Sequence, residues 1–135
     1  MRLTPEQIHS INTSVERVLG VAVRLIVVFG SCARGRARPD SDLDIAVDAG
    51  TVMTAMQHLS LVGALAELTG RPVDLVDLRT VGEPLLGQIL QHGQRISGSD
   101  EVHAQYLTRH LIDLADFVPL QQRILEERRQ AWIGR

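Results

Sequence analysis

Apolar and polar positions alternate along the chain with two different periods. Ile8, Ile11, Val15 and Val18 recur at helical spacing. Ahead of them, Thr4 can cap, Pro5 suits a first helical position and Gln7 completes a capping box, while Gly20 fits the C-terminal end. Near-continuous apolar stretches bounded by turn residues then predict buried strands at about 22–29, 42–47 and 73–78, with a shorter extended piece at 94–96. Between them, helices are expected at about 52–68, with Leu59, Val62, Leu65 and Ala66 on one side, and at about 84–91. After a Ser97–Asp100 turn and cap, a helix at about 101–117 carries Leu107, Leu111, Leu114 and Val118, and Pro119 is expected to interrupt it. The last segment, 120–135, is charged and amphipathic. The order predicts an α/β (α+β) chain with a small mixed sheet and extra C-terminal helices.

A length of 135 residues fits one domain, and 44% hydrophobic residues are enough for a core. The division expected is a single domain over 1–135, with 101–135 a helical extension. No apolar run approaches about 18 residues and no signal segment is evident, so the expectation is a cytoplasmic protein that crosses no membrane. The single cysteine, Cys32, rules out an internal disulfide, and the five histidines lack metal-ligand spacing. A net charge of -2 and few aromatic residues argue against stable nucleic-acid binding. All fourteen basic residues are arginine, which genome composition explains as readily as phosphate recognition does.

The chemistry concentrates where the first predicted strand ends. Phe29-Gly30-Ser31-Cys32-Ala33-Arg34-Gly35 is followed by Ser41-Asp42-Leu43-Asp44-Ile45-Ala46-Val47. Gly-Ser, ten residues, then Asp-x-Asp would arise by chance in roughly one or two chains per thousand of this length. Residues two apart on a strand share a face about 6–7 Å apart, so Asp42 and Asp44 aim at one spot. Paired carboxylates repel unless a cation lies between them, and Mg²⁺ favours carboxylates together with substrate phosphates. Gly30 permits close backbone approach, and Ser31 adds a hydroxyl at a helix start that attracts anions. Arg34, one turn on, either reaches a phosphate or is a plain surface arginine. A third carboxylate can come from Asp74 or Asp77. Val73 and Leu75 fall on the face opposite Asp74 and suit the helical layer, which leaves Asp74 on the open face and Asp77 to end the strand.

The segment from Gly30 to Val47 closely resembles the nucleotidyltransferase signature of the DNA polymerase β superfamily, and Val73-Asp74-Leu75 fits its third acid. In size and layout the chain is most similar to the minimal nucleotidyltransferase antitoxins paired with HEPN ribonuclease toxins. The resemblance implies a polymerase β-like fold, ATP as substrate, two Mg²⁺ ions held by Asp42, Asp44 and Asp74, and triphosphate contacts from Gly30 and Ser31, with Arg34 the further candidate for a phosphate contact. It implies an antitoxin, type VII-like, that transfers AMP to a tyrosine hydroxyl of its HEPN toxin within a hetero-oligomer. Two other readings remain open at this point: an antitoxin that neutralises by binding alone, and a small-molecule nucleotidyltransferase.

Overall fold

The structure, a computed structural model, describes residues 3–33, 35, 38 and 41–133, with side chains throughout except at 117–121, 132 and 133. Among the described residues five helices and four strands alternate: α1 (Pro5–Leu19), β1 (Leu25–Phe29), α2 (Gly30–Ala33), β2 (Leu43–Asp48), α3 (Ala55–Thr69), β3 (Val73–Asp77), α4 (Leu85–His92), β4 (Gln94–Gly98) and α5 (Asp100–Ile133). The sheet order is β3-β2-β1-β4. β1 is antiparallel to β2 and β4, and β2 is parallel to β3, with α3 as the crossover. The sheet is mixed, as expected.

Helices cover both faces, which is why β1 reads as an unbroken apolar run. Ile26, Val28, Ile45, Val47 and Leu75 pack under Ile11 and Val15 of α1 and Leu61 and Leu65 of α3. On the other face Leu25, Val27 and Ala46 meet Leu86 and Ile89 of α4 and Tyr106 of α5. Thr4 and Gln7 form the expected capping box, and Gly20 closes α1 in the left-handed region at φ 71°. Ser99 Oγ accepts the Val102 N–H at the start of α5. Among the described residues no helix is long and apolar enough to cross a membrane.

Several boundaries move. β1 begins at Leu25, not Ala22, because Leu25 already pairs with the last residues of both neighbouring strands, Asp48 and Gly98. In α3 the buried side is Leu61 and Leu65, while Leu59 is 68% exposed. The largest revision is at Pro119, which does not end a helix: α5 continues to Ile133 as one 34-residue element. An interior proline costs about 3 kcal/mol but removes only one helical hydrogen bond. The helix-favouring run from Leu120 to Ala131 resumes the ladder beyond it. Leu107, Leu111 and Leu114 are exposed, and the residues laid on the body are Val102, Tyr106 and His110, three successive i,i+4 positions.

Candidate active site

β1 delivers the chain to Gly30 at its C-terminal end. Gly30 adopts φ 68°, a conformation L side chains rarely take. A Cβ there would lie 2.1 Å from Asp44 Oδ2 and 3.0 Å from the Asp44 carboxyl carbon. Glycine therefore meets two demands at once, the turn and the approach of the signature backbone to a carboxylate. α2 is a single turn of four residues. The expectation of a helix field gathering phosphate thus reduces to the local backbone amides and the half-buried Ser31.

Asp44 stands opposite Phe29 on one side and, in parallel register, opposite Asp74 on the other. The even positions of β2 face one way: Ala46 lies under α4 and α5, while Asp44 lies at the uncovered end. Asp74 is exposed there, and Asp42, just before β2, is exposed with the same parity as Asp44. Burial raises the Asp44 carboxyl above its ordinary value, and the charges of Asp74 and then Asp42 add to it, as does a hydrogen bond with Asp74. The three acids expected at the site therefore sense one another. Among the described residues no group of three or more His, Cys, Asp or Glu side chains is gathered closely enough to hold a metal ion. The donor set, oxygen alone and mutually repelling, suits a hard cation such as Mg²⁺.

Asp77 is on the other side of β3, as its parity requires. Its Oδ2 accepts the Met53 N–H at 2.8 Å and its Oδ1 the Arg79 N–H at 2.9 Å, so it ends the strand and orders the approach to α3. Cys32 is buried, and its thiol donates to the Asp42 carbonyl at 3.6 Å. Arg34 lies outside the described residues.

Arg71 was not singled out by sequence reasoning. Its Nη1 donates to the carbonyls of Arg38 at 2.5 Å and Ser41 at 3.0 Å, and the neighbouring Pro72 carbonyl accepts the Leu43 N–H at 2.8 Å. The chain on both sides of Asp42 is thereby tied to the entry of β3. The available signal was an arginine next to the third acid's strand; its partners, 30 and 33 residues upstream, leave no periodic trace.

Residues 9–102 match the polymerase beta nucleotidyltransferase family. The chain is similar to the protein adenylyltransferase MntA of Thermococcus cleftensis, 43% identical over 76 residues, or 55% of this chain and 77% of that protein. It is similar also to the protein adenylyltransferase MntA of Shewanella oneidensis, 34% identical over 79 residues, or 58% of this chain. The matched stretch spans 57% of the length of that Shewanella relative. A chain in the crystal structure of a toxin–antitoxin with AMP-PNP superposes with a TM-score of 0.75 and 25% identity, covering 86% of this chain and 96% of that one.

Proposed function

This chain belongs to the polymerase beta nucleotidyltransferase family, and from that membership we propose that it is a Mg²⁺-dependent protein adenylyltransferase. It transfers AMP from ATP to a tyrosine hydroxyl of a HEPN ribonuclease toxin and so acts as the antitoxin. The observation that carries this reading is the register pair Asp44 and Asp74 at the uncovered end of the sheet, beside Gly30 and after Asp42. The adenylyltransferase names of its relatives and the toxin–antitoxin likeness support the acceptor class.

Each residue then has a task. Gly30 brings its backbone close to the carboxylates, and the Ser31 hydroxyl and the amides of the turn hold the triphosphate. Asp42 and Asp44 would hold Mg²⁺, and Asp74 would share a second ion. Bound Mg²⁺ supplies neutralisation of the phosphate charge and a lowered pKa for the acceptor hydroxyl. Asp74 stands exposed where that hydroxyl arrives and takes its proton. The tyrosine oxygen forms a bond to the α-phosphorus, the bond from that phosphorus to the bridging oxygen breaks, and pyrophosphate leaves. Such catalysis rests on positioning and charge stabilisation.

The test incubates the chain with labelled ATP, Mg²⁺ and the HEPN protein encoded beside it, followed by mass spectrometry. The expected product carries AMP on tyrosine. Neutralisation without label, at one antitoxin per toxin site, would favour the binding-only reading. Label on a small molecule alone would favour the third.

A further inference from the structure

The sheet face that carries Asp44 has a second polar feature at its far end. A cleft of about 310 Å³ is lined by Arg24, Asp48, Arg79, Gln105, Tyr106 and Arg109. Asp48 is four residues along β2 from Asp44, a separation of about 13 Å, so a ligand here does not overlap the nucleotide end. None of the six residues is aliphatic, and three are cationic.

The bonding within the cleft is uneven. Asp48 is buried, and its Oδ2 accepts the Tyr106 hydroxyl at 2.6 Å while its Oδ1 accepts the Gly50 N–H at 2.8 Å. Each oxygen thus has one close donor. Arg79 Nη1 stands at 3.4 Å from Asp48 Oδ1 and Arg24 Nε at 3.9 Å from Asp48 Oδ2. Arg24 has one further bond, from Nη2 to Gln105 Oε1 at 3.1 Å. Arg109 is committed: its Nη atoms donate to the Leu78 and Val81 carbonyls, and its Nε faces Asp113 at 3.6 Å. Two guanidinium groups thus share a single buried carboxylate at long ion-pair distances, and both are open to solvent, 43% for Arg24 and 36% for Arg79.

We propose that this cleft is a second, phosphate-binding site, in which Arg24 and Arg79 clamp a free phosphate or a phosphomonoester. A guanidinium presents its N–H groups as a planar fork that meets phosphate oxygens in pairs. Arg24 approaches from the start of β1 and Arg79 from the turn after β3, so the two forks come from opposite sides of β2. A tetrahedral anion can offer each fork its own pair of oxygens; a flat carboxylate has a single pair to offer. Asp48, bonded to Tyr106, forms the floor that spaces the arginines. The site goes beyond the transferase reading and does not depend on it.

The experiment titrates the full chain, free of divalent cations, with inorganic phosphate and in parallel with acetate at equal ionic strength. It follows the Arg24 and Arg79 Nε–H and Gln105 side-chain amide resonances. Saturable shifts with phosphate are expected, with acetate much weaker. Arg79→Gln and Arg24→Gln should each weaken phosphate binding about 10-fold, the scale of one charge-assisted hydrogen bond. Arg79→Lys should restore only part of it. If one glutamine variant fails to fold, the other carries the comparison. AMP in place of phosphate tells a phosphomonoester from the free ion, and saturable binding of either supports the site. Non-saturating phosphate, parental affinity in a folded glutamine variant, or acetate matching phosphate would overturn the proposal. Loss of AMP transfer with phosphate binding intact would count against the transferase reading alone.

Discussion

Two aspartates on one face of β2 obey opposite electrostatics, and substitutions should show it. Asp44 is raised by burial and by Asp74 and Asp42, so Asp44→Asn removes a repulsion. Thermal melts without divalent cation should show the variant at least as stable as the parent, while AMP transfer falls by at least about 10²–10⁴-fold. Asp42→Asn should lose transfer to the same degree. Burial also works against ionised Asp48, but bonds from the Tyr106 hydroxyl, the Gly50 N–H and Arg79 outweigh it and hold the carboxyl below its ordinary value. A lowered folded-state pKa stabilises above the unfolded value of about 3.9 and is lost as pH falls through the folded value. The stability gap between parent and Asp48→Asn, measured by denaturant titration, should therefore be full at pH 6 and shrink below about pH 4. At Gly30, alanine takes a left-handed backbone at a cost of about 1–2 kcal/mol and displaces the Asp44 carboxylate. Gly30→Ala should thus lower both the melting temperature and transfer, whereas Ser31→Ala should spare the melting temperature.

At the scale of elements, α5 divides into a held part and an unheld part. Tyr106, Arg109 and His110 tie its first turns to Asp48, to the Leu78 and Val81 carbonyls and to Glu83, the last at 2.6 Å. From Gln122 to Ala131 its residues are exposed, with Leu125 at 63%. A helix packed on its own core is thus not what this stretch shows. Deleting residues 120–135 should leave the melting temperature nearly unchanged. If the stretch docks the toxin, affinity for it should fall by about 2 kcal/mol or more, measured by calorimetry. Apolar periodicity located this helix, but the stripe of Leu107, Leu111 and Leu114 that it marks is exposed. Its anchors are polar, and their partners lie 58 and 27 residues away in sequence, where no local spacing reveals them. Asp42, Asp44 and Asp74 were legible for the opposite reason. Strand parity fixes their faces, and the glycine before them announces the turn.

For the whole molecule, order of elements and core were readable because β1 and β2 are buried on both faces, while the exact pairing was not. Nothing local states that β3 runs parallel to β2 and places Asp74 beside Asp44. That placement has a consequence for the folding pathway. β1 and β2 join antiparallel across residues 30–42, but β2 and β3 meet only after the chain closes a longer loop through α3, an ordering cost paid before any contact rewards it. The two acids must therefore be forced together during that closure. Stopped-flow refolding at low ionic strength should be faster for Asp74→Asn than for the parent. The difference should vanish as salt shortens the screening length from about 30 Å at 0.01 M to about 3 Å at 1 M. The charge pair that sits at the uncovered end of the sheet thus acts as a brake on the chain's own assembly.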